Sequence, residues 1–191
     1  MILREARLND APALAELARA EAEHQLEAGA GFRLSPGADW AAYARERLKR
    51  PDGMVMVAER EDDGKLVGFA GLRIARRGQP ASASHVGLIR RILGWRRRTA
   101  AARSATVEPS ASGVIDSIYV VPECRQRGIA TGLLGRGLIW LESRRVSEFE
   151  AAIWAGNDVS LAFFRKAGFE PARVLVRRKP GTSADQMEKG A

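Results

Sequence analysis

One stretch constrains this chain more than any other: Val114-Ile-Asp-Ser-Ile-Tyr-Val-Val-Pro-Glu-Cys-Arg-Gln-Arg-Gly-Ile-Ala-Thr-Gly-Leu-Leu134. Val114 to Val121 is dense in β-branched and aromatic residues, and Pro122 has no N–H to give a ladder, so the pattern predicts a strand that stops there. Beyond Gly128, the apolar residues Ile129, Leu133, Leu134, Leu138 and Leu141 keep the spacing of one helical face. Arg125 to Ala130 therefore falls where the first N–H groups of a helix lack intrahelical partners and point outward together. Those amides and the positive end of the helix dipole favour an anion, and Gly128 lets the backbone turn and approach it. Gly132, Gly135 and Gly137 each weaken a helix by about 1 kcal/mol relative to Ala, which asks for an offsetting contact with a ligand or a strand. An ordinary strand-to-helix turn in a basic, Gly-rich chain is the plainer reading of the same residues.

The run Val120-x-Pro122-x-x-Arg125-x-x-Gly128-x-Ala130 resembles the acetyl-CoA-binding motif of the GCN5-related N-acetyltransferase (GNAT) family. It lacks the Lys-Ser/Thr pair of a P-loop and the G-x-G-x-x-G spacing of a dinucleotide fingerprint. A second segment, Asn157-Asp-Val-Ser-Leu-Ala-Phe-Phe-Arg-Lys-Ala-Gly-Phe169, is similar to the family's Asn-capped helix ending in Tyr-x-x-x-Gly-Phe. From the residues alone it is a helix capped by Asn157 and stopped by Gly168, with Leu161, Phe164 and Ala167 on an apolar face.

The resemblance implies an α/β (α+β) fold, a mixed, mostly antiparallel central sheet flanked by helices, whose central strands splay apart. It implies acetyl-CoA as co-substrate, no metal, and direct transfer of the acetyl group to a primary amine without a covalent acyl-enzyme. Ile118, Tyr119 and Val120 would meet the pantetheine arm, and Arg125, Gln126, Arg127, Gly128, Ile129, Ala130 and Thr131 the pyrophosphate. Asn157 and Phe164 would lie near the arm. Phe164 stands where many members carry a Tyr, and without a hydroxyl it cannot protonate the departing thiolate, so Tyr119 or a water would have to. Asp116 shares strand parity with Val114, Ile118 and Val120, an acid on an otherwise apolar face, and tends toward a raised pKa. In similar members of the family an acid at this motif position deprotonates the amine directly or through water, so Asp116 is the candidate base and, with Tyr119, a candidate catalytic residue. An acid at a sheet bulge, or one bonded to a neighbouring loop, is the structural reading of Asp116.

At 191 residues the chain is expected to be a single acetyltransferase domain over 1–179 with a tail over 180–191 that is polar and expected to be disordered. Ile2 to Arg7 reads as a strand. A helix follows to about Glu27, with Leu14, Leu17, Ala18 and Ala22 as its stripe. Asp39 caps a second helix through Arg50 carrying Trp40, Tyr43, Ala44 and Leu48. In the family this helix pair lines the acceptor pocket. Met54–Glu59 and Lys65–Ile74 form a hairpin around Asp63-Gly64. Phe149–Ala155 and Phe169–Arg177 are the remaining strands. His24 reads as a solvent-facing helix residue, and His85 has no neighbour at metal-ligand spacing.

Charge is unevenly placed. Lys65 to Val107 holds ten basic residues and no acid, while the rest has 21 basic and 23 acidic residues, so this segment supplies the whole net charge of +8. It includes an irregular basic insertion at about 76–112 with an arginine cluster over 90–103. Such a cluster can grip nucleic acid, an acidic surface or CoA phosphates, or lie solvated. A non-catalytic acyl-CoA-binding or basic nucleic-acid-binding module on the same fold is thus the alternative function. The partner expected first is a small-molecule or peptide amine acceptor, and dimers are frequent in the family. One cysteine, Cys124, excludes an internal disulfide, and no apolar run reaches the ~20 residues of a membrane span, which points to the cytoplasm.

Overall fold

The computed structural model describes residues 1–76, 111–146 and 148–172, and of Arg76 the backbone alone. They form two compact units, Met1–Asp158 and the segment from Val159. The first holds a five-stranded sheet in the order β1-β2-β3-β4-β5: Ile2–Glu5, Gly53–Glu59, Leu66–Arg76, Ala111–Val120 and Glu148–Ala151. The first four strands pair antiparallel and the last pair is parallel. Helices α1 (Ala11–Glu27) and α2 (Trp40–Leu48) precede β2, α3 (Ile129–Ser143) joins β4 to β5, and α4 (Asp158–Lys166) follows.

One face of the sheet is covered by α1 and α2. Leu14, Leu17 and Ala18 of α1 and Tyr43 and Ala44 of α2 bury against Val55, Val57, Phe69 and Tyr119. The other face takes α3. A Cβ on Gly137 would come within 2.5 Å of Leu72 Cδ2, and one on Gly113 within 2.6 Å of Leu141 Cδ1, so helix and strands approach where side chains are missing. The offset for Gly137 is therefore close packing on a strand. β2 is buried on both faces, which explains its unbroken apolar run Met54–Ala58.

Caps follow the residues. Asp39 Oδ1 accepts from Ala42 N–H at 2.8 Å and opens α2. At the end of α4 Gly168 takes φ +87°, while Gly168 N–H and Phe169 N–H donate to Arg165 O and Phe164 O at 3.0 Å each. That double bond pattern closes a helix through a left-handed glycine.

Boundaries differ from the sequence pattern at the β3–β4 hairpin. Both strands run further than their apolar stretches, to Arg76 and from Ala111, which pair with each other. Ala111, Ser112 and Gly113 are too small or polar to read as strand, yet they are ladder residues. The basic insertion is thus a connection between paired ends, and its arginines Arg90, Arg91, Arg96, Arg97, Arg98 and Arg103 lie outside the described residues, as does His85. β5 ends at Ala151, short of the expected Ala155. The expected closing strand carries no strand over 169–172, and its remainder lies outside the described residues.

Candidate active site

β4 is paired on both sides only at its start. Its partners in β5 run from Ser112↔Glu148 to Ile115↔Ala151, and from Asp116 to Val120 none of its residues is joined to β5. Among the described residues this leaves one edge of the strand open over Asp116, Ser117, Ile118, Tyr119 and Val120. An open edge offers alternating N–H and C=O groups to an extended chain that carries amides.

The strand then passes through a short turn, Pro122–Cys124, into the loop before α3. Gln126 and Gly128 adopt φ +61° and +75°. Gln126, Arg127, Gly128 and Thr131 are exposed, Ala130 is partly covered and Ile129 is buried under the helix. Gly132 N–H is bonded to Gly128 O at 2.9 Å, so the amides before it are those that a helix start leaves for an outside acceptor. Arg125 does not point outward. Its Nε donates to Val120 O at 2.9 Å and its guanidinium lies 5.6 Å from the centre of the Tyr119 ring, tying the loop to the strand end.

Tyr119 is buried against α1, with the His24 ring 6.3 Å away and tilted, so His24 is half-buried beside it. Burial raises the Tyr119 phenol above its usual range, opposed by Arg125. Asn157 is buried just before α4, its N–H bonded to Trp154 O at 2.9 Å. Phe164 belongs to the second unit, buried edge-on between Phe163 and Phe169.

Asp116 lies in surroundings that simple alternation does not foresee. Gly71 pairs with Ser117 and Leu72 with Ile115, so Asp116 is the extra residue of a β-bulge. The bulge shifts the phase of the strand. Val114, Asp116, Ser117 and Tyr119 face the α1/α2 side, whereas Ile115, opposite Leu72, faces α3. Asp116 is therefore among charges, not on an apolar face with Ile118 and Val120. Its Oδ1 accepts from Arg73 Nε at 3.0 Å, and its Oδ2 lies 3.5 Å from Arg50 and 3.6 Å from Arg47.

Arg47 is the hub of this cluster. It donates to the Tyr43 hydroxyl and, at 3.3 Å, to Ser117 Oγ, and its guanidinium rests on Gly71, where a Cβ would stand 2.0 Å from Nη2. Glu21 of α1 completes the group at 3% exposure. Its Oε1 accepts from Gln25 Nε2 at 3.1 Å. Burial pushes its carboxyl up to about 7, against the pull of Arg47, Ser117 and Gln25.

Glu21, Arg47 and Arg73 escape a reading for polar motifs, but each occupies an inward position. Glu21 is seven residues beyond Leu14 and four beyond Leu17, Arg47 is four beyond Tyr43, and Arg73 shares the parity of Phe69. A charge inside an apolar stripe was the signal available.

The open edge and the exposed loop behind it define a sheet protein able to pair with an extended amide chain and to hold an anion at one helix start. Over residues 13–169 the chain matches the acetyltransferase (GNAT) family, and it belongs to that family. An aminoglycoside N(6')-acetyltransferase type 1 of Acinetobacter haemolyticus is 32% identical over 69 residues, 36% of this chain and 48% of that protein. A counterpart from Acinetobacter baumannii is 36% identical over 66 residues, 34% of this chain and 45% of that protein. The chain thus spans about half the length of the curated relatives it matches. Among solved structures, a tetramutant of the BH1408 protein of Bacillus halodurans shares the fold with a TM-score of 0.70 at 16% identity, covering 94% of this chain and 99% of that one. Among the described residues no helix is long and apolar enough to cross a membrane.

Proposed function

We propose that this protein transfers the acetyl group of acetyl-CoA directly to a primary amine of a small molecule. The observation that carries the reading is the open edge of β4 leading into the left-handed turn at Gly128 and the start of α3, in a chain of the GNAT family. The backbone of Ile118, Tyr119 and Val120 would pair with the pantetheine arm, and the N–H groups from Gln126 to Thr131 would hold the pyrophosphate. Arg125 shapes this loop through Val120 O. Asn157 would lie near the arm. The residues supply positioning and proton handling, and no covalent acyl-enzyme is required.

Tyr119, whose phenol carries its proton at neutral pH, is the group proposed to give a proton to the departing thiolate, since Phe164 has none to give. Asp116 keeps a place in the site as the anchor of Arg47, Arg50 and Arg73, both its oxygens facing guanidinium groups. The relatives named for aminoglycosides place those compounds first among amines to be tried. The test is release of free CoA thiol from acetyl-CoA with aminoglycosides, polyamines and amino acids in turn. Release with at least one small amine is expected. Tight acetyl-CoA binding with no thiol release from any would favour a binding module instead.

A further inference from the structure

We propose that Glu21, acting through the hydroxyl of Ser117, accepts the proton that the acceptor's ammonium must lose before it attacks. The inference rests on the acetyl-transfer reading above. Ser117 lies two residues beyond Ile115, the last residue of β4 joined to β5, so its hydroxyl sits where the sheet opens and on the side covered by α1 and α2. Glu21 lies close enough for the Ser117 hydroxyl to favour its charged form, and it has one oxygen to spare: Oε2 is buried and has no hydrogen-bond partner among the described residues, although Oε1 is held by Gln25. A buried carboxylate oxygen left unpaired is costly, and a donor arriving from the site would relieve it.

The surroundings suit a carboxyl that changes charge during the cycle. From α1 it meets Gln25, from α2 Tyr43 and Arg47, and from β4 Asp116 and Ser117, with Tyr119 further along the strand and His24 against the Tyr119 ring. Arg73 of β3 and Arg50 reach this group through Asp116. Three guanidiniums face one committed carboxylate, so a second negative charge at Glu21 is compensated, and burial opposes it enough to place the titration near neutrality. A base works best when its pKa lies close to the operating pH.

The proton balance is simple. The ammonium gives a proton to Ser117 Oγ as the hydroxyl proton of Ser117 passes to Glu21 Oε2, leaving a neutral amine, an unchanged serine and a neutral Glu21. The amine lone pair then forms the N–C bond to the acetyl carbon, the C–S bond breaks, and the sulfur leaves with its electron pair to take a proton from Tyr119. The new amide sheds its extra proton, and Glu21 and Tyr119 return to their starting states by exchange with water.

The experiment is the pH profile of kcat/KM for the wild type, Glu21→Gln and Asp116→Asn with one accepted amine, alongside acetyl-CoA affinity by titration calorimetry. The wild type should show a single ionisation near pH 7. Glu21→Gln should lose that step and roughly 100-fold in kcat, with acetyl-CoA affinity kept within about twofold, while Asp116→Asn should keep the step. A wild-type rate and profile in Glu21→Gln, or loss of the step in Asp116→Asn alone, overturns the assignment. If Glu21→Gln does not fold, Ser117→Ala decides, with at least tenfold loss of kcat at unchanged acetyl-CoA affinity expected and an unchanged kcat overturning it. A wild type that turns over no amine overturns acetyl transfer and this assignment together, whereas turnover with an unaltered Glu21→Gln overturns this assignment alone.

Discussion

Burial and ion pairing move two acids of this chain in opposite directions, and the fold should register both. Arg4 holds the Asp10 carboxyl below its ordinary range, so the stability it contributes is present above the unfolded-state value and fades as the solution is acidified. Glu21 behaves in the reverse sense. Its folded-state value, about 7, lies above the ordinary 4.5, so folded protein holds a proton that unfolded chain has released, and the stability from this group is lost as pH rises through 7. A shift of that size corresponds to about 2 to 3 kcal/mol between pH 5 and pH 8. Urea unfolding of Glu21→Gln beside the wild type should show the variant gaining by that amount over this interval, and parallel curves would contradict the burial argument. Gly128 makes a second prediction at this scale. Nothing lies within 4 Å of where its Cβ would be, so the cost of Gly128→Val is conformational, a β-branched residue forced to φ +75°. Acetyl-CoA affinity should fall at least tenfold by calorimetry, while Gln126→Ala, which trades one L side chain for another on an exposed loop, should change it less than twofold.

Packing of elements depends on a few places where a side chain is absent. Gly71 is the most consequential, because Arg47 fills the space above it and in turn holds Tyr43, Ser117 and Asp116. Gly71→Ala should displace the guanidinium and lower stability by about 1 to 3 kcal/mol, read as an earlier thermal midpoint, with a loss of turnover larger than the loss of acetyl-CoA binding. Helices α1 and α2, the β2–β3 hairpin and the strand–loop–helix unit at Val114–Leu134 were all legible, since each carries its own period, cap or turn residue. Pairing between strands was not. The bulge at Asp116 depends on how β3 and β4 align, and alternation within one strand contains no record of that alignment. The ends of the β3–β4 hairpin were missed for a related reason, since Ala111, Ser112 and Gly113 become strand residues only by their partners. The charges at Glu21, Arg47 and Arg73 were visible as residues but not as a cluster, because three elements far apart in the chain supply them.

For the molecule as a whole, the 77–110 connection is expected to be separable from the catalytic frame, although Arg73 of the same basic stretch belongs to the Asp116 cluster. Arg76 and Ala111 face each other across the hairpin, so the 77–110 connection leaves and returns at one point. Deleting about Arg77 to Thr106 and closing with a short Gly-Ser link should therefore give a protein that folds and binds acetyl-CoA with wild-type affinity, since loop length alone changes closure entropy only slowly. Loss of folding or of acetyl-CoA binding would make the segment part of the frame. The bulge at Asp116 is an insertion that the sheet absorbs. Upstream of Asp116, β4 is kept in step by α3 against Gly113 and Ile115, and downstream by α1 and α2 against Ser117 and Tyr119, so the strand carries two reading frames joined at one residue. Substitution at that joint alters a charge and leaves both frames intact. Removing the residue would restore plain alternation, with Val114, Ser117 and Tyr119 still facing α1 and α2, and would take away the carboxylate that Arg47, Arg50 and Arg73 share. The extra residue thus adds a charge to the buried face without turning any neighbouring side chain of the strand.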